Sequence, residues 1–561
     1  MSSSADRKSA GIEASQPFSV STRRAWSGFM RQFRQKTTRM SSIGHLATLA
    51  RVQPFAATVE VMPMRRSSCY RSASLIAFAL LIAPAQAETV QTRLGPVEVD
   101  HGLPIPATRQ KLYDELDFQR AVQGVIWAEP AINNALFQQG MVKAGVPNLG
   151  AMVYDKRMQP GQETLTPNQS VIYLYDSINL ADTGPVVHIV PESPINAGFF
   201  DMWMRPVLDF GTVGPNKGKG DRILILPPGY TAVVPDGYLV ARPKTNQIFS
   251  ITRLSIKEGM TEEKALALYR RMQTYRLADA ANPKPKTLVL MGDPAQGGKQ
   301  FRMNRPAGLA YWQMVHQLID SETIEDRDRI TLGSLAPIGI ERGKPFAPDA
   351  RMQKILIDAE QVGKLMMVNE AFSPRTIPDG VEKELYPGTH WENIQLLPSM
   401  TQEGPNSTYV AGRMIGFYQA NGAQFAWDPK DYPPGFGQKY AAAYQDKAGD
   451  WLKGENSYRL RIPANVPVAD FWALTVYDIE TRALIEAPQH RAEINPNVNK
   501  LKMNADGSVD LYFGPKTPAG LESNWVQTVP GRAWFPYFRW YGPTEAYYDK
   551  RWALPDIERV N

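Results

Sequence analysis

The stretch "GPNKGKGDRILILPPGY", residues 214–230, alternates glycines with lysines in the manner of a loop that wraps a phosphate. A phosphate loop needs GxxxxGK followed by Ser or Thr, set between a strand and a helix, because helix N-terminal amides and a hydroxyl on magnesium do the holding. Here Gly214 and Gly218 stand one residue too close, Gly220 takes the hydroxyl's place, and the loop runs into "RILILPP", a strand pattern. The expectation is a glycine-rich connection between strands, with Lys217 and Lys219 in solvent or lining a cleft. "DGSVD" opens like a calcium loop, but the glycine and glutamate such a loop requires further on are Leu511 and Thr517, so Asp506-Gly507 reads as a tight turn.

The histidines after residue 87 are His101, His188, His316, His390 and His490, and none forms HExxH. "THWEN" offers His390 and Glu392 without the cysteines of a zinc deaminase. His316 shares an apolar stripe with Leu309, Trp312 and Ile319, as a hydrogen-bonded core histidine would, and His188 in "VVHIV" reads as a cross-strand partner. No metal set follows from spacing; one assembled from distant histidines and carboxylates stays open. A GxSxG elbow is absent, which disfavours an α/β-hydrolase. Asp176, Asp201, Asp209 and Asp478 fall on or near strands, where a carboxylate can do acid–base work or simply meet solvent. Aromatic clusters such as "FFDMWMRP", "DFWALTVYD" and "WFPYFRWYG" exceed what alternating strands bury on one face. Rings on an outer face near Arg205 and Arg539 suit flat organic ligands or sugars, with packing inside large domains as the competing use.

The elements that position these residues follow a leader. From Met64 the chain reads "MRRSSCYRSASLIAFALLIAPAQAETV": three arginines, a 13-residue apolar run over 73–85, then Ala85-Gln86-Ala87. That is the form of a secretory signal peptide at 64–87, cut before Glu88, and its apolar run is shorter than the roughly 20 residues of a membrane-spanning helix. Residues 1–63 read as a non-native or disordered extension ahead of a true start at Met62 or Met64, with an organellar presequence as the alternative. The first 87 residues carry a net charge of +9 and the remainder −3, so the basic balance of the chain belongs to its leader. Nucleic-acid binding, which needs a basic surface, is excluded on that ground. The single cysteine, Cys69, also lies in the leader, which removes thiol nucleophiles and thiolate-bound metals from the mature chain.

Behind the leader, residues 88–130 predict one short helix, and 165–255 predict closely spaced strands bounded by Pro, Asn and Gly. A helix capped by Thr261 is expected over 261–277, a proline-bearing connector follows, and further helices are expected at 309–319 and 348–371. Strand patterning returns from about Tyr440. The expected fold is α+β and mainly β: two antiparallel, sandwich-like sheet domains joined by a helical segment. Their expected bounds are 88–280 and 401–561, with the helical region at 281–400.

Over nearly all of the mature chain the sequence resembles bacterial exported proteins that pair a domain of unknown function 1254 with a domain of unknown function 1214. "TPNQSVIYLYDSINLADTGPVVHIVP", "MWMRPVLDFGTVGPNKGKGDRILILPPGY" and "GIERGKPFAPDARMQKIL" carry the first part; "SYRLRIPANVPVADFWALTVYD" and "NADGSVDLYFGPKTPAGLESNWVQTVPGRAWFPYFRWYGP" carry the second. The resemblance implies β-rich domains and export, and it brings no settled reaction. Members often show an Asn-x-Asp-Thr-x-x-Tyr-like run; here Asn168 opens it, Ser170 and Val171 stand in the Asp and Thr places, and Tyr173 falls one position ahead of the Tyr place. The matching polar set implied as a site lining is Asn168, Tyr173, Arg205, Lys217, Asp478, Asn524, Trp525 and Arg539. On that set the expectation is a periplasmic enzyme acting on a small or oligomeric organic substrate in an inter-domain cleft. Asp478 and Arg539 would be its catalytic pair: Asp478 would take a proton, and Arg539 with Lys217 would clamp an anionic or carbonyl group. Asn168 and Asn524 would orient the substrate, with Tyr173, Arg205 and Trp525 also lining it. The rival is a non-catalytic glycan- or ligand-binding envelope protein. The sequence names no cofactor, gives the mature form no membrane span, and leaves a homo-oligomer open.

Overall fold

The computed structural model of the chain describes residues 88–560 apart from 257–258, 376, 378–380, 395–396, 398, 423 and 426–432. The expected extension and signal peptide lie outside these described residues.

In the first β region, "VIYLYDSIN" and "QIFSITRLS" form the strands Val171–Asn179 and Gln247–Ser255, paired antiparallel with Arg253 opposite Tyr173. They sit at the centre of a six-stranded sheet, and a four-stranded sheet faces it. Side-chain alternation sends Ile172, Leu174 and Ile178 between the two sheets and Tyr173 and Tyr175 to the opposite face, against Phe137 and Met141. Because both faces are covered, Val171–Asn179 is buried at every residue but Asn179 instead of alternating. Residues 212–220 carry the chain from Pro206–Gly211 in one sheet to Asp221–Ile225 in the other, so this glycine-rich stretch connects strands as expected. Gly218 and Gly220 there take φ of 82° and 98°, and the carboxylate of Asp221 accepts from Gly211 N–H at 2.8 Å and from Asn216 at 2.9 Å.

The second β region repeats the plan. A five-stranded sheet centred on Trp534–Pro543 and Val468–Asp478 packs on a four-stranded sheet holding Ser457–Ile462 and Val509–Gly514. All ten residues of Trp534–Pro543 are buried, the aromatic cluster having protein on both faces. Pairing is antiparallel except for a few short strands, such as Leu288–Leu290 beside Ala151–Val153. The turn at 504–508 forms, with Gly507 at φ 79°, but it does not join paired strands, since Val509–Gly514 pairs with Ser457–Ile462 and Trp525–Gln527.

The fold is α+β, with helix and strand each making up 27% of the described residues. The large helical share comes from Pro106–Lys143, which runs 38 residues where the sequence predicted one short helix. Its second half contains Pro130, Asn133, Asn134 and Gly140, types that disfavour helix by propensity. Tertiary bonds override them: Asn133 donates to Phe417 O at 2.9 Å, Asn134 to Asp201 O at 3.0 Å, and Glu129 pairs with Arg305 at 2.6 Å. This helix packs on Ala350–Phe372, where Gly363 admits Val125 so closely that an added Cβ would stand 2.9 Å from it. Conversely, the helix predicted over 261–277 ends at Tyr269, and Gln273–Arg276 turns into a strand beside Val186–Val190. His316 is a buried core histidine, bonded through Nε2 to Lys344 O at 2.7 Å. Among the described residues no helix is long and apolar enough to cross a membrane.

His188 is wholly buried opposite Thr274, its Nδ1 3.0 Å from the Thr274 hydroxyl, with Phe199 and Phe210 edge-on at 5.1 and 5.3 Å. Burial, only partly offset by the Asp176 carboxylate, pushes this imidazole down to about 3. The unfolded chain therefore takes up a proton below pH 6.5 that the folded chain refuses until about pH 3, and stability falls as the pH drops through that window. His188→Leu is expected to remove an acid slope of about 1.4 kcal/mol per pH unit from denaturant melts between those limits. An unchanged slope would show that the imidazole is protonated in the folded chain.

Candidate functional site

Alternation along Trp534–Pro543 sends Arg539 to the outer face of the five-stranded sheet, opposite Tyr440 on one side and Ala473 on the other. Its guanidinium is buried, 2% exposed. Nη1 donates to Thr475 Oγ1 at 2.7 Å, and Nη2 donates to Tyr477 Oη at 2.5 Å and to Thr166 O at 3.1 Å. The rings of Tyr440, Tyr537 and Tyr477 surround it, 5.1, 5.4 and 5.6 Å from ring centre to guanidinium carbon. Among the described residues no carboxylate forms an ion pair with it, and its Nε–H has no partner. The buried hydroxyl of Tyr541 also lacks one.

Thr475 passes the contact on. Its hydroxyl accepts from Arg539 and donates to Glu493 Oε2 at 2.7 Å. Glu493, on the short edge strand Glu493–Ile494, also accepts from Gln169 N–H at 2.9 Å and from the Ser170 hydroxyl at 2.5 Å. Asn495 donates to that same Ser170 oxygen at 3.1 Å. Ser170 is positioned by Asn168, whose side chain accepts its N–H at 3.0 Å, while Tyr173 Oη accepts from Asn168 N–H at 3.2 Å. Tyr477 closes the seam by donating to Pro167 O at 2.5 Å. Burial holds the phenols of Tyr173, Tyr477 and Tyr541 above their ordinary range, so all three are neutral at physiological pH. The arrangement is a buried chain of hydroxyls between a cation and a carboxylate, with segment 166–173 on one side and the second sheet on the other. Chemically, a buried guanidinium is a group that can hold an anion and a carboxylate one that can accept a proton, and the seam contains one of each.

Of the eight residues expected to line a site, the structure brings together Asn168, Tyr173 and Arg539. Asp478 and Arg539 do not meet. Asp478 lies opposite Trp534, five positions or about 17 Å along the strands, and points to the other face. Its carboxylate caps its own turn, accepting from Glu480 N–H and Thr481 N–H at 3.0 and 2.9 Å, and pairs with Arg532 at 2.7 Å. Arg205 is held by Asp201 at 2.6 Å and by Glu325, which ties the first sheet to the helical region. Asn524, at the end of the one-turn helix Glu522–Asn524, locks the backbone of Lys502 and Asp510, and Trp525 donates to Gly514 O at 3.0 Å within the other sheet of the second region. Lys217 lies in the 212–220 connection at φ 50°. The residues not foreseen are Glu493, Thr475, Ser170, Tyr440 and Tyr477. Thr475 left a trace in the sequence, a polar residue in the otherwise apolar run "WALTVY", in register with Tyr477 and Ala473.

The seam residues all fall inside stretches shared with other proteins. A family model described as a protein of unknown function, DUF1254, matches residues 151–276, and one described as a protein of unknown function, DUF1214, matches 437–545. The chain carries both domains, in that order. The polar seam is thus the place where the DUF1254 domain, through Thr166 to Tyr173, meets the DUF1214 domain, through Tyr440, Thr475, Tyr477, Glu493 and Arg539. No curated protein matches the chain. Among solved structures it is similar to a Vibrio parahaemolyticus protein at 17% identity and TM-score 0.49, covering 79% of this chain and all of that one. It is also similar to an uncharacterized protein from Burkholderia cenocepacia at 14% identity and TM-score 0.33, covering 81% of this chain and 89% of that one.

Tyr477→Phe removes the hydroxyl that serves Pro167 O and Arg539 together, leaving two buried polar groups unpaired. Equilibrium denaturation should show a loss of about 1–3 kcal/mol. Tyr440→Phe, whose hydroxyl bonds only Gln438 at a half-buried position, should stay within about 0.5 kcal/mol of wild type.

Proposed function

We propose that this is an exported enzyme acting on a small or oligomeric organic substrate that carries a carboxylate or carbonyl group, with the seam between the DUF1254 and DUF1214 domains as its working centre. The observation that carries this reading is Arg539: a buried cation with no carboxylate ion-paired to it and an unpartnered Nε–H, beside an unpartnered Tyr541 hydroxyl. Leaving a buried charge and its donors incompletely satisfied costs several kcal/mol, and an anionic or polarised oxygen from a ligand would repay it. Arg539 and Tyr541 then clamp that oxygen. Glu493 acts as proton acceptor through the Ser170 hydroxyl, which already donates to it and is oriented by Asn495. Asn168 and Tyr173 hold Ser170 in place from the first domain. This assigns the base to Glu493 in place of Asp478, whose oxygens are committed to a turn and to Arg532.

One observation favours a second reading, a ligand-binding protein without chemistry: every oxygen of Glu493 is already satisfied from within the protein. A thermal-shift screen of small carboxylates and carbonyl compounds separates the two. A ligand at a hundredfold excess over its Kd raises apparent stability by about 2.7 kcal/mol. For an enzyme, Glu493→Gln keeps that rise and abolishes conversion of the hit compound; if wild type binds but never converts any hit, the binding reading stands. Absence of any hit that Arg539→Met loses would end both.

Export rests on the sequence of residues 64–87, and its outcome is equally direct. N-terminal sequencing of the protein recovered from the periplasmic fraction is expected to begin at Glu88; recovery in the cytosol with residues 64–87 attached would refute it.

A further inference from the structure

The interior of the DUF1254 domain holds a second polar group that the seam does not use. Alternation turns Asp176 inward with Ile172, Leu174 and Ile178, between the two sheets. There it meets the ammonium of Lys286, which comes from the proline-bearing connector after the four-stranded sheet. The side chains are 0% and 2% exposed, and neither Lys286 Nζ nor Asp176 Oδ1 has a hydrogen-bond partner beyond this pairing. The Ser250 hydroxyl donates to the other carboxylate oxygen, Oδ2, at 2.5 Å. His188 interacts electrostatically with both charged groups, and its Nε2 is buried without a partner.

An ion pair is an expensive occupant of such a place, since each ion gives up its hydration, the lysine for this one contact and the carboxylate for this one and the Ser250 hydroxyl. A lysine has three N–H groups, and here two of them have nothing to bond. The same two groups are, however, set for a condensation. They are held together without competing water, which gives intramolecular reactions effective molarities of about 10⁵–10⁸ M. Ser250 polarises the carboxyl by donating to Oδ2. His188, kept neutral by burial, offers an unoccupied ring nitrogen that can relay a proton when Nδ1 carries the hydrogen facing Thr274.

We propose that Lys286 and Asp176 join in an intramolecular amide cross-link. The Lys286 nitrogen adds to Cγ of Asp176, the Cγ–Oδ1 bond breaks, and Oδ1 leaves as water with two of the three ammonium protons. The third remains on the amide nitrogen. Charge is conserved, and no oxidant, reductant or co-reactant enters. The product exchanges two buried charges for a neutral amide and ties the segment leading into Leu288–Leu290 to the centre of the sheet. It would give a chain whose single cysteine lies in the leader a covalent brace that no reductant opens.

Peptide mapping by mass spectrometry of the denatured, purified full chain decides the matter. Expected is one branched species in which the peptides containing Asp176 and Lys286 are joined, lighter by one water than the two together, with Lys286 refusing amine-directed label after unfolding. Recovery of both as separate linear peptides, with Lys286 labelled, overturns the proposal, and this reading of wild type needs no variant to fold. Asp176→Asn, which is nearly isosteric, should yield the same branched product by loss of ammonia, and Lys286→Met should yield only linear peptides. A water loss that persists in Lys286→Met would place the modification elsewhere and reject the assignment.

Discussion

A guanidinium buried without a paired carboxylate sets the terms for the seam. Arg539 cannot shed its proton, so its charge has to be spread over neutral acceptors: the hydroxyls of Thr475 and Tyr477, the carbonyl of Thr166 and three aromatic faces. Thr475 can accept from Arg539 only because its own proton goes to Glu493. Glu493, in turn, is satisfied by Ser170 and Gln169 of the other domain. The placement of segment 166–173 against the second sheet is therefore tied to these hydrogen bonds.

The helical layer makes that placement possible. The long helix Pro106–Lys143 contacts Ala350–Phe372 through the Gly363–Val125 approach, and its buried amides reach the first β region at Asp201 and the helix Val410–Gln419 at Phe417. Gln419, at the end of the helix Val410–Gln419, collects the rest. Its side chain accepts from Tyr444 at 2.8 Å and Tyr537 at 2.7 Å and donates to Ala371 O at 2.7 Å, and its carbonyl accepts from Thr166. One residue thus refers the seam, the second sheet and the helices to a common frame. Satisfied networks of this kind rigidify a fold, because each member's removal strands several partners.

The polar residues implied by family resemblance divide into two kinds of work. Asn168, Tyr173 and Arg539 converge on the seam. Arg205, Asp478, Asn524 and Trp525 instead close turns, cap strand ends and join sheet to helix. A carboxylate that accepts two backbone amides and a hydroxyl, as Asp478 does, is as indispensable to its turn as a base is to a reaction. Residue type does not distinguish the two uses.

The sequence by itself determined the two β regions, helices near 309–319 and 348–371 that form as Leu309–Ser321 and Ala350–Phe372, and the strand-to-strand nature of the lysine-glycine loop, because local periodicity and turn chemistry fix these, and its longer motifs carried the resemblance to two domain families. It was silent on the full length of Pro106–Lys143, where Pro130 and the Asn pair oppose helix until buried partners arrive from far along the chain. Only the tertiary structure decided which polar residues meet at the seam. Glu493 and Ser170 are separated by more than three hundred residues and become partners across a sheet edge, and which face Asp478 or Arg539 occupies depends on strand pairing. The physical reason is range: propensity acts over a few residues, whereas a buried charge finds its counterpart only after long-range pairing has set the geometry.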